Sequence, residues 1–326
     1  MKTALVTGSS GFIGGRLVAR LRSEDYWVRG ADIVHPAFPH EARPNEFKLL
    51  DLRQFDNCLT VTRGLQEVYH LAADMGGIGY ITAHHASIAH NDALMNLNML
   101  EAARMQGVKR FFYSSSACVY PAHKQNASDL PALAEDDAWP ADPEAGYGLE
   151  KLFSEKLCQY YHEDYGLETR VARFHNVYGP MGTYQGGKEK APAALCRKVA
   201  EYKHGLAPEI GLWGNGEQTR SFMYVDDCVE GILRLMASGY AEPLNLGSSE
   251  LVTINELLAL IADVAGVTLK VRHDLDKPVG VMGRNSDNTR IREVLGWEPS
   301  IPLRAGIARL YSWVAEQVTK TALVAA

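Results

Sequence analysis

Lys2-Thr3-Ala4-Leu5-Val6-Thr7-Gly8-Ser9-Ser10-Gly11-Phe12-Ile13-Gly14 decides the fold. Lys2 to Thr7 reads as a short buried strand, and Phe12 to Ser23 has the periodicity of an amphipathic helix. Gly8, Gly11 and Gly14 stand between and within them as G-x-x-G-x-x-G, not the G-x-G-x-x-G of ordinary dehydrogenases. Glycines at such a junction allow a tight turn, close approach of backbone to a pyrophosphate, and packing of helix on sheet. The free N–H groups and the dipole of the helix then face the anion.

Working outward, Trp27 to Ala31 and Glu67 to Leu71 read as strands, and Ser87 to Gly107 as a long helix. Arg110 to Ser114 is a strand, Tyr147 to Tyr165 a helix ended by Gly166, and Glu168 to Arg173 a strand. Repeated strand-helix units predict an α/β protein with a Rossmann-type, doubly wound parallel sheet covered on both faces. Beyond Gly179-Pro180 the pattern loosens into short helices, Ala191 to His204 and Thr253 to Ala265, among Gly- and Pro-containing loops. We therefore expect a nucleotide-binding domain over 1–178 and a smaller α/β C-terminal substrate domain over 179–219 and 247–326. Residues 220–246, regular again from Phe222, are expected to return to the main sheet.

Composition excludes several classes. The chain has 326 residues, 46% hydrophobic and 22% charged, with a net charge of -6, so there is no clustered basic excess to hold a nucleic acid. Cys58, Cys118, Cys158, Cys196 and Cys228 are widely spaced and odd in number, which fits reduced thiols in a cytoplasm and neither a disulfide framework nor a zinc site. No apolar run reaches the length of a membrane span, and the first residues meet a glycine turn before a signal-peptide core can form. His84, His85 and His90 offer no convincing metal spacing, so no metal is expected.

Asp32 ends the second strand about twenty residues after the glycine turn, where a carboxylate accepts hydrogen bonds from both ribose hydroxyls and repels a 2'-phosphate. NAD is favoured over NADP. Asp51 and Leu52 follow the next strand and suit either the adenine or a helix cap. Tyr147 and Lys151 lie four apart on one helix face, so an ammonium near the phenol should lower the tyrosine pKa toward neutrality, as a general base requires. Ser116 ends the preceding strand.

Thr-Gly-x-x-Gly-Phe-Ile-Gly at the start, Ser114-Ser115-Ser116-Ala117 before Val119-Tyr120, Tyr147-Gly148 before Lys151, Asn176-Val177-Tyr178-Gly179-Pro180 and Arg220-Ser221-Phe222 resemble the extended short-chain dehydrogenase/reductase family of nucleotide-sugar epimerases and dehydratases. The resemblance covers nearly the whole chain. It implies that Ser116, Tyr147 and Lys151 form the catalytic triad, that NAD, with Gly8, Gly11, Phe12, Ile13 and Gly14 at its pyrophosphate, stays bound through turnover, and that two long helices pair in a homodimer.

Further segments narrow the resemblance to one branch: Ala73 to Gly79, Ser116-Ala117-Cys118, Asp137 to Pro140, Tyr147 to Lys151, Arg173 to Asn176, Gly187 to Ala194 and Gly283 to Asn288. That branch implies GDP-mannose as the substrate and inversion at C3 and C5. Elementary chemistry agrees, because a sugar C–H becomes acidic only beside a ketone, and oxidation at C4 activates both neighbours. A base on one face and an acid on the other must follow. Cys118 is suited to the first role, since a thiol reaches a low pKa in an electropositive pocket, and Lys190 to the second. Taken singly, a cysteine at a strand end reads as a small buried hydrophobe and a lysine in a Gly-rich loop as a solvated one. Gly76, Ala117, Asn176, Glu189, Ala191, Lys198, Gln218, Arg220 and Arg284 are the further candidates for contact with the nucleotide sugar, arginine being able to grip phosphate with two N–H groups. The competing functions are a 4-epimerase or 4,6-dehydratase for another nucleotide sugar, and a noncatalytic NAD-binding regulator. Ala117-Cys118 stands where dehydratases of the family carry Asp-Glu, and the intact triad argues against the regulator.

Overall fold

A computed structural model describes residues 1–277 and 279–325. In chain order the first part contains β1 (Thr3–Thr7), α1 (Phe12–Ser23), β2 (Trp27–Asp32), β3 (Glu46–Leu49), α2 (Phe55–Thr62), β4 (Glu67–His70), α3 (Ile78–Ile81), α4 (His85–Met105) and β5 (Arg110–Ser116). There follow α5 (Ala145–Tyr165), β6 (Glu168–Phe174), β7 (Val177–Tyr178), α6 (Ala191–Lys203), β8 (Ile210–Trp213), β9 (Thr219–Ser221), β10 (Met223–Tyr224) and α7 (Val225–Ala237). The chain ends with β11 (Leu244–Leu246), β12 (Leu251–Thr253), α8 (Ile254–Ala265), β13 (Val271–Asp274), β14 (Gly283–Arg284), α9 (Thr289–Leu295) and α10 (Leu303–Ala325).

The main sheet has the order β11-β6-β5-β4-β1-β2-β3, and every neighbouring pair is parallel. Alternation along its strands sorts side chains to two faces. Ala4 and Val6 of β1 and Phe112 of β5 join a core shared with α1, α7 and the C-terminal helices α6, α8 and α10. Leu5, Phe111 and Tyr113 join a second core under α2 and α4. Strand order reverses between β1 and β4, so the crevice at their carboxyl ends is the place where such a sheet binds its ligand.

The glycine turn is built as the sequence predicts. Gly8 has φ +67°, and a Cβ on Gly14 would run into the carbonyl oxygen of Gly8, so α1 packs on the turn only without side chains there. Gly166 closes α5 with φ +70°, the left-handed cap that glycine takes without strain. Thr253 caps α8 with its hydroxyl on the Glu256 N–H, and Glu256 reaches back to the Thr253 N–H.

Residues 220–246 contribute short strands to three different sheets. Met223 and Tyr224 pair with Val177 and Tyr178 in a separate two-stranded sheet, because α7 begins at the next residue and ends the strand. Leu244 to Leu246 supply the added strand beside β6. The remaining strands form two small sheets, β12-β9-β14 and β13-β8.

Candidate active site

Two connected cavities open at the carboxyl ends of the strands. The first, about 700 Å³, is lined by Gly8, Gly11, Phe12, Ile13, Gly14, Asp32, Asp51, Leu52 and Lys151 among others. Gly11 gives α1 no side-chain cap, which leaves the first N–H groups of the helix free for an anion. The Asp32 carboxylate is aimed by the backbone: Oδ2 accepts from Ser10 N at 2.9 Å and Oδ1 from Ile33 N at 2.7 Å. The uncapped helix start beside closely packed glycines and an anchored carboxylate fits a dinucleotide without a 2'-phosphate. Asp51 is no helix cap, since α2 starts after Gln54; it accepts from Arg53, whose guanidinium holds its carboxyl below the usual carboxylate range.

The second cavity, about 470 Å³, shares Gly76, Ser116, Tyr147 and Lys190 with the first. Its own walls add Cys118, Glu144, Asn176, Glu189, Ala191, Lys198, Gln218, Arg220 and Arg284. Tyr147 thus stands at the junction, one turn of α5 before Lys151. The Ser116 hydroxyl accepts from Cys118 N at 3.2 Å, and Ser116 lines both cavities with Tyr147.

Lys151 is buried, with its ammonium 5.6 Å from the Tyr147 ring centroid, 4.9 Å from that of Tyr113 and 4.0 Å from Glu150 Oε2. Glu150 Oε1 accepts from Asn96 Nδ2 at 2.5 Å, and Asn96 Oδ1 meets His70 Nε2 at 2.8 Å. Burial pushes His70 down to about 4, so this chain of contacts from Thr7 to Lys151 is neutral at His70. The expected fall of the Tyr147 pKa is not what the chain alone produces. Burial raises it well above the ordinary phenol range, and the charges of Cys118, Asp92 and Glu150 add to the rise. Glu150, close to the Lys151 ammonium, offsets the cation that was to favour the phenolate.

Cys118 and Lys190 meet in the second cavity. Burial raises the thiol, which the Arg284 guanidinium partly reverses with Nη1 at 3.5 Å from Sγ. Burial lowers Lys190, which makes its ammonium a readier acid. Other candidates line this cavity with their donors already engaged. Lys198 Nζ donates to Gly211 O at 2.6 Å, Arg220 donates to Thr219 O and Val281 O, and Glu189 pairs with Arg197 at 3.6 Å. Asn176 takes φ +44° and donates to Ser221 O at 3.0 Å. Gln218 Oε1 is buried with no hydrogen-bond partner among the described residues, an acceptor left for a ligand.

Ala117 is the candidate that lies in neither cavity lining. A single 3-10 turn, Ala117–Val119, turns its methyl into a buried apolar cluster with Val119, Tyr120 and Leu133. The sequence reading missed Glu144 and Gln125, which hold Arg284 through Nη2 and Nε at 2.6 Å each. Gln125 ends a 3-10 turn and Glu144 precedes the first residue of α5, and no spacing in the sequence marks either. Among the described residues no cluster of His, Cys, Asp and Glu has the makings of a metal site, and no helix is long and apolar enough to cross a membrane.

Residues 4–247 match the model of the NAD dependent epimerase/dehydratase family. The chain is 49% identical over 321 residues to GDP-mannose 3,5-epimerase 1 of Oryza sativa subsp. japonica, covering 97% of this chain and 82% of that one. It is 46% identical over 316 residues to GDP-mannose 3,5-epimerase of Arabidopsis thaliana, with the same coverages. Among solved structures, UDP-glucose 4-epimerase with UDP-glucose from Thermotoga maritima superposes with TM-score 0.87 at 26% identity, covering 97% of this chain and 99% of the other. UDP-glucose 4-epimerase of Thermus thermophilus in complex with NAD shares the fold, with TM-score 0.82 at 23% identity over 96% and 98% of the two chains.

Proposed function

The chain belongs to the NAD dependent epimerase/dehydratase family, and on that premise we propose that it epimerises GDP-mannose at C3 and C5. The product is GDP-L-galactose, with GDP-L-gulose arising by inversion at C5 alone, through a transient C4 ketone. The observation that carries this reading is the meeting of Cys118 and Lys190 in one cavity, beside the wall formed by Ser116 and Tyr147. Simple oxidation needs only Ser116 and Tyr147 with Lys151.

Gly8, the N–H groups of Phe12, Ile13 and Gly14, and Asp32 would hold NAD, which would supply the hydride acceptor for oxidation at C4 and the donor that restores the alcohol once inversion is complete. Tyr147 takes the proton of the C4 hydroxyl while Ser116 orients that oxygen. Cys118 removes the proton from the carbon beside the ketone, and Lys190 delivers one to the opposite face. Asn176, Gln218 and Arg284 orient the sugar and its diphosphate. In this reading residues 1–178 with 220–246 carry the cofactor, and 179–219 with 247–326 carry the substrate.

Leu97 and Met105 on α4 and Leu149, Phe153, Tyr160 and Tyr165 on α5 are large apolar side chains left exposed. α4 and α5 pack side by side, so they support a homodimer through that face. Five buried free thiols are consistent with a reducing cytoplasm. Incubating the purified protein with GDP-mannose in deuterated water tests the reaction by NMR. New hexose signals and deuterium at C3 and C5 are expected; their absence would sink the assignment.

A further inference from the structure

Cys118 and Glu144 compete for one guanidinium. Arg284 is 8% exposed and spends Nη1 on Cys118 Sγ at 3.5 Å and Nη2 on Glu144 Oε2 at 2.6 Å. Glu144 also donates its backbone N–H to Cys118 O at 2.9 Å, and it stands at the start of α5, the helix that carries Tyr147. The same residue is therefore tied to the thiol's backbone, to the thiol's cation and to the catalytic helix.

We propose that Glu144 is a positioning residue that sets the proton affinity of Cys118 by sharing Arg284 with it. The inference rests on Cys118 being the base of the proposed epimerisation. A thiolate facing an unshared guanidinium would form readily but would bind a proton weakly. A base that removes a carbon-bound proton must bind that proton well. By neutralising most of Arg284, Glu144 keeps the sulfur basic, so that the thiolate binds the proton it takes from carbon. Burial alone would raise the Glu144 carboxyl, yet Arg284 holds it below the usual range, so the carboxylate is charged at neutral pH. The other groups facing Cys118 are Ser116 on β5, Tyr147 on α5, Lys190 before α6 and Arg220 on β9. None of them is anionic at neutral pH, so the opposing charge falls to Glu144.

Glu144→Gln removes the charge and keeps an oxygen for Arg284. The pH dependence of Cys118 alkylation by iodoacetamide, read on the Cys118 peptide by mass spectrometry, is compared between variant and wild type with NAD bound. No sugar nucleotide is present, so the result stands apart from the identity of the substrate. The midpoint is expected to fall by about one to three units, the usual effect of removing a like charge at this range. Glu144→Asp should keep the wild-type midpoint within about one unit. An unmoved midpoint in E144Q that still binds NAD, with only the plateau rate altered, would mean a merely structural role and overturn the proposal. Should E144Q fail to bind NAD, Arg284→Met decides the matter. Loss of the shared cation must raise the midpoint, and no rise would overturn the idea.

Discussion

Gly148 carries the backbone of α5 against the carbonyl oxygen of Cys118, with no room for a Cβ between them. Tyr147 is its neighbour, so the fit of this one glycine fixes the separation of phenol and thiol. Gly148→Ala should push the first turn of α5 off the Cys118 loop by roughly 1 Å and slow the chemistry about 100-fold. Stopped-flow absorbance of the reduced cofactor after mixing with GDP-mannose reads the rate, and circular dichroism reads the fold. A variant reacting at the wild-type rate would show that the contact has slack.

Removing the thiol separates oxidation from epimerisation. Cys118→Ser leaves Ser116, Tyr147 and Lys151 in place, so transient cofactor reduction should persist while deuterium uptake from solvent falls by about 10² to 10⁴. Lys190→Ala gives a different pattern. The base remains, so deuterium should enter C5 with retained configuration and little inverted hexose. Equal loss of every step in both variants would mean that they act through the fold and not through separate proton transfers.

Legibility in the sequence followed the range of the interactions. The glycine turn and α1 were readable to the residue, because strand, turn and helix are local and each glycine has a steric reason. α5 begins at Ala145, two residues before the expected start, since Gly146 and Gly148 hide the first turn from helix propensity. β11 is three residues long and reads as nothing in isolation; only its place beside β6 makes it a strand. Glu144 was invisible for the same reason. It sits between Pro143 and the helix without periodicity, and the partner that gives it meaning, Arg284, lies 140 residues away. Ala117 came from the resemblance of the Ser116-Ala117-Cys118 segment, and the 3-10 turn that follows Ser116 places its methyl in an apolar cluster outside both cavity linings.

The cofactor preference has its own test at Asp32. Its carboxylate is pinned by Ser10, Ile33 and Val34 N–H groups, so it cannot swing away from an incoming 2'-phosphate. Asp32→Ser removes charge-assisted hydrogen bonds to the ribose, and NAD affinity should fall by about ten- to a hundredfold. The penalty against NADP should shrink in the same variant. Calorimetric titration with both dinucleotides checks this, and an unchanged ratio of affinities would place the ribose elsewhere.

Asp92 makes stability depend on pH in the direction opposite to most carboxylates. It is fully buried, Oδ1 accepts from Asp74 N at 2.6 Å, and Oδ2 has no hydrogen-bond partner among the described residues. Burial raises its pKa from 3.8 to about 7, against the pull of the Lys151 cation. Between those two values the folded chain holds a proton that the unfolded chain has released, so stability falls as pH rises and levels off above about 7. Asp92→Asn cannot ionise. Its stability relative to wild type should grow through that window, by on the order of 4 kcal/mol, and stay constant above it. Melting temperatures of both proteins across a pH series, at one fixed NAD concentration, supply the comparison. A difference that does not change with pH would mean that Asp92 keeps its charge in the fold, and Lys151 would then have a full counterion behind Tyr147.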